Sequence, residues 1–103
     1  MWGDRGGTRP IRVLIADDHD VARRRLRAQL SEALDVEVVG EADDGALALQ
    51  LAHWLQPDVA LLDERLPKIG GLELARVLAA QLPEVRVVIL TGGASAVADT
   101  PAG

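Results

Sequence analysis

Between Ile11 and Thr91 the chain alternates short apolar runs with longer stretches in which apolar residues return every three or four positions. Ile11-Arg12-Val13-Leu14-Ile15-Ala16 is β-branched and apolar apart from Arg12, and predicts a first strand. Val36-Glu37-Val38-Val39-Gly40 predicts a second, whose weaker alternation and Glu37 point to a sheet edge. Pro57-Asp58-Val59-Ala60-Leu61-Leu62-Asp63 predicts a third. Its continuous Ala60, Leu61 and Leu62 suit a parallel strand buried on both faces. Val85-Arg86-Val87-Val88-Ile89-Leu90 predicts a fourth, ending on Thr91.

The intervening stretches have helical period. Asp20 is a good N-cap, and Ala22, Leu26, Leu30 and Ala33 then share one face, with Arg23, Arg24, Arg25 and Arg27 mostly off it. That arginine cluster reads first as a solvated helix surface, and in a sharper reading as a docking surface for an acidic partner. A second helix opens at Asp43-Asp44-Gly45, where carboxylates suit the helix dipole. Its stripe is Leu47, Leu51 and Leu55 with Ala48 and Ala52 beside it, and Gln56-Pro57 stops it. Leu72, Ala75, Leu78, Ala79 and Leu82 mark a third helix, stopped at Leu82-Pro83.

Strand and helix in strict alternation imply an α/β fold, a doubly wound parallel sheet with helices on both faces and right-handed crossovers. The 103 residues suffice for one small domain, here residues 11–91. Met1 to Pro10, rich in Gly and Arg, reads as a disordered leader in which Trp2 is most simply an unstructured terminal residue. Residues 92–103, mostly Gly, Ala, Ser, Thr and Pro, read as a disordered tail. That leaves the fourth strand as an unpaired apolar edge.

Composition narrows the chemistry. There is no cysteine, which excludes disulfide scaffolds, thiolate zinc sites and cysteine nucleophiles. A net charge of -5 argues against a nucleic acid or an anionic membrane as the main partner. No apolar run approaches a membrane span, and the N-terminus has no signal-peptide core, so a cytoplasmic location is expected. With two Trp and no Phe or Tyr, the core must come from Leu, Val, Ile and Ala.

What remains is the set of groups at the strand ends: Asp17 and Asp18, Asp63, and Thr91. In open α/β sheets ligands bind beyond the carboxyl ends of the strands. If the first and third strands are neighbours, Asp17, Asp18 and Asp63 crowd together, and one pKa rises unless a cation intervenes. Mg²⁺ prefers oxygen ligands and keeps positions for water and phosphate oxygens. Such a site can accept a phosphoryl group on a carboxylate, with Thr91 hydrogen-bonding a phosphoryl oxygen. Each residue alone has a plainer reading, Asp as a helix cap and Thr as an ordinary strand residue; the set shifts the balance. His19 beside the acids reads as a solvent-facing loop residue, because Mg²⁺ does not favour imidazole. His53 has no assigned chemistry.

Ile11 to His19, Pro57 to Asp63, and Leu66-Pro67 followed by Gly71 resemble the receiver domain of two-component response regulators. Asp17-Asp18-His19 and Val38-Val39-Gly40-Glu41-Ala42 are most similar to receivers that carry a helix-turn-helix output domain. The resemblance implies a flavodoxin-like (CheY-like) three-layer α/β/α fold with strand order 2-1-3-4-5. It implies that Asp63 accepts a phosphoryl group from a sensor histidine kinase. Mg²⁺ would be held by Asp17, Asp18, Asp63 and the backbone carbonyl of Arg65, directly or through water, and Thr91 would sense the phosphoryl group. Such a chain is a signalling phosphoacceptor rather than an enzyme, with at most autophosphorylation and autodephosphorylation on Asp63. Its partners would be a sensor kinase and, as a second option, another response regulator, with no DNA binding by this chain alone and no membrane. Against the family pattern, the fifth strand, the last two helices and the lysine of that strand are missing, and Lys68, the single lysine, lies in the loop after Asp63. Glu64 and Gly70 stand where an aliphatic and an acidic residue are usual. A rival reading therefore stays open: a truncated receiver, deficient in phosphorylation, that acts only as a protein-binding module or is a non-functional fragment. An acyl-phosphate hydrolase of the haloacid-dehalogenase type is set aside, because its Asp-x-Asp signature would need an acid where Arg65 stands.

Overall fold

The computed structural model describes residues 9–91 and, as backbone, 96–100. The elements are β1 (Ile11–Ala16), α1 (Asp20–Ser31), β2 (Val36–Ala42), α2 (Gly45–Leu55), β3 (Val59–Asp63), α3 (Gly71–Gln81), β4 (Arg86–Thr91) and β5 (Ala96–Thr100). The sheet order is β2-β1-β3-β4-β5. The first four strands are parallel, with Ala16 opposite Leu62 and Asp63 opposite Leu90. β1 and β3 are neighbours, and the order reverses direction beside β1, at the carboxyl edge where Asp17 and Asp63 emerge. β2 is an edge strand with Glu37 exposed, as its pattern suggested.

β5 corrects an expectation. Residues 96–100, read as part of an unstructured tail, form a strand antiparallel to β4, with Thr91 opposite Ala96 and Val87 opposite Thr100. The apolar edge of β4 is thereby paired. The short Ala-Val-Ala-Asp-Thr run was too weakly apolar to register as a strand; an open edge of backbone donors and acceptors gives even such a segment a template. Because it runs antiparallel, β5 is not the parallel fifth strand that the family resemblance implied. The readings of residues 1–8, Trp2 among them, and of 92–95 and 101–103 lie outside the described residues. Arg9, placed in the leader, is described and pairs with Asp58 at 3.0 Å.

The two faces of the sheet are unequal. On one, Leu14, Ala16, Ala60, Leu62, Val87 and Ile89 pack with Ala48 and Ala52 of α2 and Leu74, Ala75 and Leu78 of α3 into one buried cluster. The predicted leucine stripe of α2 is rotated: the two alanines form its centre, and Leu47, Leu51 and Leu55 are half-buried flanks. In α3, Leu74 takes the core position and Leu72 is 50% exposed. The expected Ala75 and Leu78 are buried with it, so the buried face is turned from Leu72 towards Leu74. On the other face Val13 and Ile15 are buried, but Leu61 is only half-buried, so β3 is not sealed on both sides. α1 covers this face loosely. It buries no residue: Leu26 and Leu30 are half-buried, and Ala22 and Ala33 are exposed.

Candidate functional site

β1 ends where the last buried apolar residue, Ala16, gives way to Asp17. The Asp17 amide donates to the Ala42 carbonyl at 3.0 Å, tying this turn to the end of β2. Asp17 is the one buried charged residue among those described, at 7% exposure. Its carboxylate accepts from the His19 amide at 2.9 Å. α1 then starts at Asp20, with His19 rather than Asp20 as N-cap and no side-chain capping bond. Asp20 instead pairs with Arg23 at 2.8 Å. The Arg23 guanidinium also donates to the Asp17 carbonyl at 2.6 Å and to Glu41 at 3.1 Å, and Arg27 joins Glu41. The arginine cluster is thus divided. Arg23 clamps the turn that carries the acids, whereas Arg24 and Arg25 are exposed.

β3 delivers Asp63 to the same edge. Three backbone contacts fix it. The Glu64 amide donates to Leu90 at 3.0 Å, the Gly71 amide donates to Glu64 at 3.0 Å, and the Arg65 amide donates to the Asp63 carboxylate at 3.3 Å. α3 starts almost on top of Asp63. A Cβ at Gly71 would lie 2.4 Å from the Asp63 carbonyl oxygen and 2.9 Å from the Glu64 Cα. The loop between them is held from the other side by α2, since the Gly45 amide donates to Pro67 at 2.9 Å and a Cβ at Gly45 would meet the Ile69 carbonyl oxygen at 2.0 Å. Only glycine permits either approach.

The outcome is a cluster of Asp17, Asp18, His19 and Asp63 whose ligand atoms all lie within 4.8 Å of one another. Burial pushes the Asp63 carboxyl above its ordinary 3.8, and the neighbouring Asp17 charge adds to it. The His19 imidazole is pushed above its ordinary 6.5, first by its hydrogen bond with Asp17 and then by the charges of Asp18 and Asp17. The His19 shift and the smaller, Asp17-driven part of the Asp63 shift both reflect crowded negative charge. Three carboxylates at this spacing suit a hard divalent cation with oxygen ligands.

Of the residues singled out from the sequence, Asp17, Asp18 and Asp63 come together. Arg65 joins them through its amide. Thr91 ends β4 at the same edge, half-buried, one residue beyond the Leu90 that faces Asp63. Lys68 does not join; its ammonium lies 3.5 Å from Asp44, the N-cap of α2. His19 lies in the loop before α1 with its ring 68% exposed, as its reading as a solvent-facing loop residue expected. Its Nδ1 also lies 3.0 Å from Asp17, 3.2 Å from Asp18 and 3.7 Å from Asp63, a contact that reading did not include.

A parallel α/β sheet with a strand-end carboxylate beside an acid pair at its switch point defines a receiver-type domain. The chain belongs to the response regulator receiver domain family, whose pattern residues 13–102 match. It is 44% identical over 81 residues to the response regulator GacA of Pseudomonas aeruginosa, an alignment covering 79% of this chain and 38% of that protein. It is 43% identical over 81 residues to the DNA-binding transcriptional activator DevR/DosR of Mycobacterium tuberculosis, covering 79% of this chain and 37% of that one. The solved receiver domain of the response regulator NarL from Mycobacterium tuberculosis superposes with a TM-score of 0.79 at 40% identity, over 82% of this chain and 68% of that structure. The response regulator domain of CheB from Thermotoga maritima gives 0.76 at 32% identity, over 85% and 67%. The chain thus spans under two-fifths of the length of the curated relatives it matches. Among the described residues, no helix is long and apolar enough to cross a membrane.

Proposed function

We propose that this chain is the phosphoacceptor module of a two-component phosphorelay, taking a phosphoryl group on Asp63 from a sensor histidine kinase. The observation that carries this is the meeting of Asp17, Asp18 and Asp63 within ion-binding range at the carboxyl edge of the sheet, in a chain of the receiver family. A carboxylate oxygen of Asp63 attacks phosphorus, the P–N bond of the phosphohistidine breaks, and its electron pair returns to the departing imidazole, leaving an acyl phosphate on Asp63. The amide of Arg65 already holds the Asp63 carboxylate in place. Asp17, Asp18, Asp63 and the Arg65 carbonyl would hold Mg²⁺, which neutralises charge on the transferring group and the carboxylates. Thr91, at the end of the adjacent strand, would hydrogen-bond the bound phosphoryl group. The chain acts as acceptor rather than as an enzyme, its own chemistry limited to loading and hydrolysis at Asp63. A kinase is its expected partner and the cytoplasm its expected place. Incubation with a phosphorylated sensor kinase or a small-molecule phosphodonor plus Mg²⁺ should add one phosphoryl group, seen by intact mass and lost in Asp63→Asn; persistence of the label in that variant would refute the assignment.

The engagement of the single lysine favours a second reading. Lys68 is turned to Asp44, so no lysine among the described residues is available to pair with a phosphoryl group on Asp63. On this reading the domain binds a kinase or another regulator without switching. Capture of an unphosphorylated kinase by Asp63→Asn as firmly as by the parent chain would support it.

A further inference from the structure

We propose that the outer face of α2 is a self-association surface, on which a second copy of this chain packs about a two-fold axis at Gln50. α2 runs Gly-Ala-Leu-Ala-Leu-Gln-Leu-Ala-His-Trp-Leu, with no Asp, Glu, Lys or Arg in it. The other two helices carry charge at exposed positions, Arg24 and Arg25 on α1 and Glu73 and Arg76 on α3. On α2 the exposed positions are Ala46, Gln50, His53 and Trp54. Trp54 is 81% exposed, and an exposed apolar patch built on Trp is the composition of a protein interface. His53 is turned aside to Gln81 of α3 at 2.6 Å. That leaves Ala46, Gln50 and Trp54 as an uncharged row at spacings of four. Half-buried Leu47, Leu51 and Leu55 form a second row beside it.

The occupant follows from the shape and charge of the row. Rows at spacings of four are helix ridges, and two such ridges interdigitate at roughly -50°. This one has its largest side chain at one end and its smallest at the other, so it complements its own copy reversed. An axis at Gln50 lays each Trp54 over Ala46 and Leu47 of the other copy. The reversal also opposes the two helix dipoles. It brings Asp43, exposed before one helix, towards the far end of the other, where the Arg12 guanidinium donates to the Leu55 and Gln56 carbonyls at 2.8 and 3.0 Å. A chain of net charge -5 thereby meets its copy on a helix face without carboxylates. At 81% exposure each Trp54 offers about 200 Å². The two tryptophans, Ala46 and the flanking leucines of both copies together reach about 1,000 Å², the small end of specific interfaces, which makes a reversible dimer rather than a permanent one.

Sedimentation velocity of the full chain from about 10 μM to about 1 mM should show the mean mass climbing from monomer towards dimer. Trp54→Glu, a change at an exposed position, should keep the circular dichroism of the parent and stay monomeric throughout. The chain has no cysteine, so an introduced one reports on a single place, and a disulfide forms only where Cα atoms come within about 7 Å. Gln50→Cys, on the axis, should form disulfide dimers under mild oxidation about tenfold faster or more than Ser31→Cys, exposed at the end of α1. Adding Trp54→Glu to Gln50→Cys should remove the difference. The comparison of the two cysteines needs no change at Trp54. A parent chain still monomeric at about 1 mM, or a dimer that survives Trp54→Glu, overturns the proposal. Equal rates for the two cysteines overturn it too, since any dimer would then lie on another face.

Discussion

Replacing Asp63 by Asn should make the ion-free protein more stable. Asp63 is 13% exposed, and its carboxyl is pushed up first by burial and then by Asp17. Its ligand oxygen lies within 4.8 Å of that of Asp17. At an effective dielectric constant of about 20, two such charges repel by at least ~3.5 kcal/mol. Rotation of the side chains and solvent at Asp18 relieve part of this, and the Asn carbonyl oxygen still accepts from the Arg65 amide. A net gain of about 1–3 kcal/mol remains, and each kcal/mol is worth roughly 4–8 °C in a domain of this size. The assay is a thermal melt with chelator at about pH 8.5, well above the ordinary histidine pKa, so that a charged imidazole offsets as little of the repulsion as possible. Added Mg²⁺ should raise the melting temperature of the parent chain and leave Asp63→Asn nearly unchanged, closing the gap, since an ion that binds only the folded state stabilises it. An Asn variant no more stable than its parent without ions, or an equal Mg²⁺ shift in both, would refute the account of a charge-strained site.

The pH profile follows from four shifted groups. Asp63 and His19 have folded pKa values raised above 3.8 and 6.5, so their favourable contributions are complete below those values and are lost as pH rises through the folded pKa. Asp44 and Asp58 are lowered, chiefly by the backbone N–H groups of Leu47 and Arg12, and their contributions are lost as pH falls below about 3.8. Without ions, the melting temperature should peak in the mildly acidic range and decline towards pH 8; a steady rise from pH 5 to 8 would contradict this. Gly71→Ala should cost about 2–4 kcal/mol in denaturant unfolding, because its Cβ would press on the Asp63 carbonyl at 2.4 Å and overpacking against backbone has no soft escape. It should also weaken Mg²⁺ binding, while Gly70→Ala, with 3.8 Å of room, should leave ion affinity intact. Gln56 sits at φ 46° as the C-cap of α2, and Gln56→Gly should raise stability by up to about 1 kcal/mol by relieving the left-handed strain.

The order of strands and helices was legible because each apolar run and each helical stripe has its own period, and Gln56-Pro57 and Leu82-Pro83 mark stops that the structure keeps. The meeting of Asp17, Asp18 and Asp63 was legible too, since the neighbouring of two parallel strands fixes where their ends lie. What sequence could not show was which side of each helix would face the sheet. Leu72 and Leu74 are equally apolar, yet Leu74 is buried and Leu72 is 50% exposed. β5 escaped because its pairing partner, not its own composition, makes it a strand. The contact of the exposed His19 ring with the acids escaped because the direction of that ring depends on the turn geometry after Ala16.

The unequal covering of the sheet bears on how the protein breathes. β1 and β3 lie under a full layer of buried side chains from α2 and α3, whereas α1 is held by half-buried leucines and the Arg23 clamp. Amide protons in such a weakly packed helix exchange with solvent through local openings, long before the molecule unfolds as a whole, while those of the central strands wait for global unfolding. Asp17 and Asp18 stand immediately before α1. An ion or phosphoryl group gripped there fixes the first turn of the most readily opened helix, so occupancy of the site would be written most strongly in the deuterium uptake of α1, a segment that contributes little to the core.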